Sequence, residues 1–174
     1  MAGKFIVFDG VDGSGKGTMV REAKKFLLSR NIAEEKIFCT AEPTHGYFGK
    51  KLREMLSSSI EPNVNARQFL DLYVADRKEH LEKEILPALN EGKIVLCDRY
   101  KYSTFVYQKL QGIALEKIVA IHNGLRCPDL VIILDIPVED ALKRIGRRKK
   151  IEVFERREFM EKVRHGFLQL KEIF

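Results

Sequence analysis

Short apolar segments alternate with longer amphipathic stretches along this chain. The apolar segments are rich in Val, Ile and Phe and predict strands at residues 4–8, 36–40, 93–97 and 130–135. Because these segments are continuously apolar, the strands are expected to form a parallel sheet that is buried on both faces. The amphipathic stretches predict helices at residues 16–30, 48–57, 66–90 and 138–145, a pair within about 102–125, and a last helix from about 155 onward. The pattern therefore predicts an α/β protein with three layers, α/β/α.

Length and composition favour a single folded domain over residues 1–174. Hydrophobic residues make up 45% and charged residues 32% of the chain, which argues against disordered and fibrous classes. The most apolar runs, residues 5–8 and 130–136, fall far short of the roughly 20 residues that cross a bilayer. We therefore predict a protein with no targeting segment and no membrane partner.

Three cysteines, Cys39, Cys97 and Cys127, are odd in number and have no C-x-x-C spacing. This pattern predicts neither a disulfide framework nor a zinc site. We interpret the cysteines as small buried thiols of a reduced compartment, which indicates a cytoplasmic protein.

The formal net charge of +6 arises from one part of the chain. Residues 143–174 contain eleven Lys or Arg and five Asp or Glu, which accounts for the whole excess. A local basic segment fits a loop that closes over polyphosphate at least as well as it fits a nucleic-acid-binding face. No stable nucleic-acid partner is therefore expected.

A glycine-rich loop joins the first predicted strand to the first predicted helix. Its spacing, G-x-x-x-x-G-K, matches a Walker A phosphate loop, whose backbone N–H groups, helix N-terminus and lysine attract phosphate. A dinucleotide-binding fingerprint fits less well, because the glycines do not follow G-x-G-x-x-G. The expected ATP-binding residues are Gly10, Val11, Asp12, Gly13, Ser14, Gly15, Lys16, Gly17 and Thr18. Gly17 follows the lysine in this chain. The hydroxyl that would associate with Mg²⁺ is therefore expected from Thr18, one residue later.

The segment that begins Asp98-Arg99-Tyr100 and continues to Gln108 resembles the signature of thymidylate kinases, Asp-Arg-Tyr-x-x-Ser-x-x-x-Tyr-Gln. Three further segments agree in order and spacing: the glycine loop, Glu42-Pro43 with residues 48–53, and residues 75–77. The resemblance implies a P-loop kinase that phosphorylates thymidine monophosphate with ATP. The family sheet normally continues with a strand and a helix after residues 159–167, so the final strand is expected to be missing and strand 130–135 to form an edge.

The acceptor site is expected beyond the carboxyl ends of the strands, where open α/β sheets bind ligands. Asp12, Glu42 and Arg99 fall there. Arg99 can clamp the acceptor phosphate with two parallel hydrogen bonds. The alternative is a structural ion pair between Arg99 and Asp98 or another carboxylate.

The resemblance also assigns the base and the sugar of the acceptor. It implies that Tyr73 stacks on thymine and that Tyr107 packs beneath the sugar and disfavours a 2′-hydroxyl. Core packing is the alternative for both tyrosines, and a solvated side chain is the alternative for Arg77. The residues implied around the polar edge of thymine are Arg53, Arg77, Thr104 and Gln108.

Asp98 ends a strand in the manner of a Walker B acid, so we predict that it binds Mg²⁺ or its water shell. Asp12 and Thr18 are further candidates for the metal. Asp135 ends another strand and is expected instead to cap the helix that starts near Val138.

Residues 144–153 resemble the lid of nucleotide kinases, with five cations in the seven residues 144–150. The resemblance implies that Arg144 contacts the adenine side and that Arg147 or Arg148 reaches the transferring phosphoryl group. These two arginines, Lys16 and Arg99 are the predicted catalytic residues. A solvated basic loop is the alternative.

Two other functions stay open at this point. One is a kinase for another nucleoside monophosphate or for a deoxynucleoside. The other is a non-enzymatic protein that binds nucleotides or nucleic acid through the basic segment. The resemblance itself implies a homodimer packed through helices.

Overall fold

The computed structural model describes residues 3–58, 64–146 and 154–170. Its four parallel strands follow the order β2-β3-β1-β4. The strands are β1 at Lys4–Gly10, β2 at Ile37–Ala41, β3 at Ile94–Asp98 and β4 at Leu130–Leu134. All four predicted strands are confirmed, and β4 lies at an edge of this sheet. The carboxyl ends of β1, β2 and β3 meet at one rim, because Ala41 pairs with Asp98 and Asp98 pairs with Phe8.

The described ranges contain eight α-helices: α1 at Lys16–Ser29, α2 at Tyr47–Ser58, α3 at Ala66–His80, α4 at Leu86–Asn90, α5 at Lys101–Leu110, α6 at Leu115–Ile121, α7 at Val138–Ile145 and α8 at Arg157–Leu170. A π-helical turn at Leu81–Ile85 joins α3 to α4. The predicted α/β fold is therefore confirmed. None of these helices combines the length and the hydropathy needed to cross a bilayer.

Burial of the strands follows their place in the sheet. The central strands are covered on both faces: Phe5 and Val95 are fully buried on one, and Phe8 and Leu96 are buried on the other. The edge strands differ, since only Ile37 of β2 is buried, the rest of that strand is partly or fully exposed, and Leu130 of β4 is 50% exposed. The prediction of full burial is wrong for these two strands, each of which has one neighbour.

Burial of the cysteines also depends on where each residue lies in the fold. Cys97, on the central strand β3, is a buried thiol, as predicted. Cys39, on β2, and Cys127, in the loop before β4, are exposed, so the prediction of burial is wrong for both. All three are free thiols.

A second core lies among the helices. Phe69 of α3, Phe105 of α5, Ile145 of α7 and Met160 of α8 are buried together. Burying each such side chain contributes about 1.5–3 kcal/mol. This core fixes α3 and α5, which carry the polar side chains of the site.

Asp135 does not cap α7. Its carboxylate accepts two hydrogen bonds from the guanidinium of Arg164 on α8, at 2.5 and 3.0 Å, and α7 begins after Pro137 without a side-chain cap. The expectation of a cap is wrong because a partner from a distant helix holds this carboxylate.

Candidate active site

The loop between β1 and α1 has the backbone of a phosphate loop. Gly10, Gly13 and Gly15 have φ angles of 138°, 77° and 98°, which side chains other than glycine disfavour. A Cβ at Gly13 would also lie 2.5 Å from the carbonyl oxygen of Ala141. The loop therefore wraps closely against α7, with the N-terminus of α1 at its mouth.

Lys16 is buried at the start of α1. Its ammonium donates to the carbonyl oxygens of Gly10 at 3.1 Å and Val11 at 2.8 Å. Burial and the nearby Arg99 lower the pKa of Lys16 to about 8, although Asp12 opposes the shift. A lysine that is held by loop carbonyls is well placed to bind a phosphate that enters the loop.

Two more groups of the loop suit an anionic ligand. The hydroxyl of Ser14 is buried and has no hydrogen-bond partner among the described residues. Arg144 of α7 lies across the loop and donates to the carbonyl oxygens of Gly13 at 3.2 Å and Ser14 at 3.3 Å.

Arg99 stands directly after β3 in a left-handed conformation, with φ 72°. Its guanidinium donates to a carboxylate oxygen of Asp12 at 2.5 Å, the hydroxyl of Ser103 at 2.8 Å and the carbonyl of Gly10 at 3.2 Å. Burial disfavours the charge of Asp12, but Arg99 and Lys16 outweigh it and lower the pKa of Asp12 to about 2. Arg99 is thus ion-paired with Asp12, and its guanidinium group lies between the phosphate loop and α5.

Asp9 is a site residue that the sequence did not reveal. Its fully buried carboxylate accepts hydrogen bonds from the hydroxyl of Ser103 at 2.6 Å, the backbone N–H of Ser103 at 3.0 Å and that of Tyr100 at 3.4 Å. Burial raises the pKa of Asp9, and Arg99 partly opposes that rise. The one available signal was a charged residue at the end of an apolar strand.

Two adjoining cavities meet at this rim. A wide cavity of about 460 Å³ is lined by the glycine loop, Lys16 and Asp98, among others. A narrow cavity of about 70 Å³ is lined by Tyr73, Tyr107 and neighbouring residues. Both cavities are bordered by Asp12, Pro43 and Arg99. The wide cavity is also lined by four other predicted site residues, Thr18, Glu42, Arg53 and Arg144. The narrow cavity is also lined by two, Thr104 and Gln108.

Arg77 borders neither cavity, because its guanidinium is buried behind the narrow one. It donates to a carboxylate oxygen of Glu42 from Nε at 2.9 Å and from Nη2 at 2.6 Å, and from Nη1 to the hydroxyl oxygen of Thr104 at 3.0 Å. His80 contacts the other carboxylate oxygen of Glu42 at 3.2 Å. Arg77 therefore reaches the narrow cavity through Thr104. Sequence reasoning missed His80, which carries no local signal.

The structure also shows the partners of Tyr107 and Arg53. The hydroxyl of Tyr107 donates to Asp12 at 3.0 Å, and its ring centre lies 5.7 Å from the guanidinium carbon of Arg99. Arg53 donates to the backbone carbonyls of Pro43 and Thr44. Arg147 and Arg148, with the predicted lid beyond Gly146, lie outside the described residues.

A magnesium ion fits the wide cavity. Asp98 lines it at the end of β3, and a Cβ at Gly17 would lie 3.3 Å from the Asp98 carboxylate. The hydroxyl of Thr18 accepts from Arg21 at 3.0 Å. No cluster of three or more His, Cys, Asp or Glu suited to a metal occurs within the described ranges. This arrangement suits Mg²⁺, which is usually held by one or two carboxylates together with substrate phosphates.

Fold and site together define an α/β protein with a P-loop and two adjoining cavities at one rim of its sheet. The family model of thymidylate kinase matches residues 8–174. This chain belongs to the thymidylate kinase family.

Individual relatives support the assignment. The thymidylate kinase of Desulfotalea psychrophila is 40% identical over 163 residues, which cover 92% of this chain and 78% of the relative. That of Brachyspira hyodysenteriae is 41% identical over 175 residues, covering 99% and 83%. The crystal structure of thymidylate kinase from Ehrlichia chaffeensis is similar with a TM-score of 0.79 at 28% identity, covering 99% of this chain and 89% of that one.

Proposed function

We infer that this chain transfers the γ-phosphoryl group of ATP to thymidine monophosphate, giving ADP and thymidine diphosphate. The observation that carries this function is the position of Arg99, which borders both the phosphate-loop cavity and the narrow cavity. A donor triphosphate on the loop and an acceptor phosphate near Arg99 would meet there. Family membership supports thymidylate as the acceptor.

Charge neutralisation explains how the site would work. ATP and a nucleoside monophosphate repel each other, and fixed cations lower the free energy of bringing them together. Lys16 would bind the donor phosphates in place of the loop carbonyls, and Arg99 would hold the acceptor phosphate in line. Asp12 and Ser103 orient the Arg99 fork before the substrate arrives.

Mg²⁺ would neutralise charge on the β- and γ-phosphates. Asp98 is the best placed residue to hold the ion or its water, because its carboxylate lines the wide cavity. Asp12 is a weaker candidate, since Arg99 and Tyr107 already occupy its two oxygens. Thr18 lines the cavity but is engaged by Arg21.

The narrow cavity would receive the thymine base. Tyr73 offers a ring for stacking, while Thr104 and Gln108 supply polar atoms for the base edge. Tyr107 would pack beneath the sugar. Arg53 borders only the wide cavity, which favours a contact with the acceptor phosphate over the contact with the base edge that the resemblance implied. Arg147 and Arg148 stay predicted catalytic arginines of the lid.

Two further expectations go with this function: a cytoplasmic enzyme and a homodimer. A groove between α2 and α3, lined by Phe48, Met55 and Leu72 among others, offers apolar surface for helix packing. Sedimentation equilibrium would show a dimer mass if the chain pairs as the family resemblance implies.

The proposed function is tested by measuring ADP formation with ATP and each of four acceptors: thymidylate, uridylate, cytidylate and adenylate. We expect the highest kcat/KM with thymidylate. Faster ADP formation with another acceptor would identify a different nucleotide kinase. ATP binding without acceptor-dependent ADP formation would indicate a non-enzymatic nucleotide-binding protein.

A further inference from the structure

Lys101, the first residue of α5, carries an ammonium group that is buried against a sulfur atom. The residue is only 8% exposed, and its Nζ donates to Sγ of Cys127 at 3.1 Å. Within the described ranges, that sulfur is its one hydrogen-bond acceptor. A buried lysine is normally paired with a carboxylate or with several oxygen atoms. The pairing with a thiol is therefore unusual and calls for a chemical explanation.

Cys127 meets this ammonium on one side and solvent on the other. It lies in the loop before β4, where its thiol is free and exposed. The same loop is tied to the start of α5, because the hydroxyl of Tyr100 donates to the backbone carbonyl of Arg126 at 2.9 Å. The contact between Cys127 and Lys101 is thus held by the fold, while a small reagent in solution can reach the sulfur.

The other two cysteines differ from Cys127. Cys97 is buried on the central strand β3. Cys39 is exposed, but burial raises its pKa, and the nearby Lys24 is engaged by Glu34 at 2.7 Å. Of these three thiols, all of which the structure describes, Cys127 is the one that combines exposure with a lysine nitrogen in hydrogen-bond contact.

This pair of groups has a defined reaction with hydrogen peroxide. The thiolate is the form of a cysteine that peroxide oxidises, and the ammonium of Lys101 supplies its counter-charge. Oxygen transfer to the sulfur gives a sulfenic acid and hydroxide. The hydroxide takes one proton from the ammonium, which leaves water and a neutral amine.

The amine can then complete the reaction. A sulfenic acid condenses with a nearby nitrogen, so that an S–N bond forms, the S–O bond breaks and a second water leaves. The sulfur loses two electrons and the peroxide gains them, and no other reactant is consumed. The separation of 3.1 Å lies within the roughly 3–3.5 Å at which reacting atoms are already in position.

We propose that Cys127 and Lys101 form a modification site, at which peroxide joins the thiol and the amine into a sulfenamide cross-link. The bond ties the loop before β4 to the first residue of α5. Attack by the adjacent amine outruns attack by a second peroxide, which would give the irreversible sulfinic acid. A dithiol reverses the link, because it attacks the sulfur, releases the amine and is itself oxidised to a disulfide. This inference does not depend on the proposed function.

The test treats the folded full-length chain with hydrogen peroxide, alkylates the remaining thiols and analyses a tryptic digest by mass spectrometry without reductant. We expect peptide 100–109, uncleaved after Lys101, to be joined to peptide 127–143, with the loss of two hydrogens. Dithiothreitol should separate the two peptides and restore cleavage after Lys101. The same treatment in urea should give no joined peptides, because the contact is absent from the unfolded chain.

Lys101→Arg is the matched variant, since it keeps the positive charge but offers no amine. The joined peptides should be absent from it, and trapping of the Cys127 sulfenic acid by dimedone should rise by on the order of tenfold over the wild type. Cys127→Ser should also abolish the link, and it replaces Lys101→Arg if thermal unfolding shows that variant to be misfolded. Cys39→Ser should leave the link intact.

Two results would overturn the proposal. One is a folded wild-type chain in which peroxide leaves Cys127 as a thiol, or carries it only to sulfenic or sulfinic acid, with cleavage after Lys101 unchanged. The other is an equal yield of joined peptides in urea, which would show that the folded contact has no part in the reaction.

Discussion

Asp9 accepts the backbone N–H of Ser103 at 3.0 Å, although the two residues lie 94 positions apart in the chain. Ser103 is in the first turn of α5, where N–H groups lack the usual helical partner, and its N–H otherwise makes only a 3.2 Å contact with the carbonyl oxygen of Tyr100. The helix has no side-chain cap of its own. A carboxylate of β1 therefore caps α5 and holds the segment that carries Arg99.

Asp9→Asn should reduce both stability and turnover. An asparagine has one acceptor oxygen, and its NH₂ group would face the N–H and O–H donors around Asp9. We expect a loss of about 2 kcal/mol in the free energy of unfolding, measured in urea. Turnover should fall by up to about 10²-fold, because small displacements of Arg99 spoil the alignment of the phosphates.

Ser103→Ala is a comparison variant that keeps the capped N–H but removes the hydroxyl, which donates to Asp9 and accepts from Arg99, so it measures these hydroxyl contacts apart from the cap. It should cost about 1 kcal/mol. Wild-type stability and turnover in Asp9→Asn would show that the cap does not position Arg99.

Local patterns predicted the sheet and the helices because the information for them is local. The run that forms β1 and the glycines that follow it lie within a few residues of each other, and so does the spacing of Lys16. Arg99 was found in the same way, as the residue after an apolar strand. These features need no knowledge of which elements meet in space.

The partners of the site residues could not be predicted in this way. Asp9 joins Ser103, and Arg77 joins Glu42 and His122, across 35 residues or more. Asp135 was assigned to the nearest helix, but Arg164 of another helix binds it. Each of these pairs depends on how the elements pack, which a single sequence does not state.

Binding of ADP should take up protons near pH 8. The pKa of Lys16 is about 8 in the free protein because of burial and Arg99, and a bound phosphate raises it. Lys16 is thus partly neutral at pH 8 before binding and charged after it, so we expect an uptake of about half a proton. At pH 6.5 Lys16 is charged in both states, and its contribution to the uptake vanishes.

Isothermal titration calorimetry in buffers of different ionisation enthalpy measures this uptake. Lys16→Arg keeps the charge but does not titrate in this range, so it should show no uptake from position 16. Equal uptake by the wild type and this variant at pH 8 would assign the proton to another group.

Gly17→Ser should strengthen the use of Mg²⁺. A Cβ at this position would lie 3.3 Å from the Asp98 carboxylate, so a serine hydroxyl would join the predicted metal site. We expect the Mg²⁺ concentration for half-maximal activity to fall by about tenfold. Gly17→Ala is the control. It adds the Cβ, whose effect on helix stability is about 0.5–1 kcal/mol, but not the hydroxyl. A similar fall in Gly17→Ala would exclude a role for the hydroxyl.

The central claim is that Arg99 holds the acceptor phosphate where the two cavities join. The most direct measurement is the single-turnover rate of phosphoryl transfer from ATP to thymidine monophosphate in Arg99→Ala, with Arg99→Lys as the variant that keeps the charge but loses the fork. We predict a fall of about 10²–10³-fold or more in folded Arg99→Ala, and incomplete recovery in Arg99→Lys. A wild-type transfer rate in folded Arg99→Ala would contradict the claim.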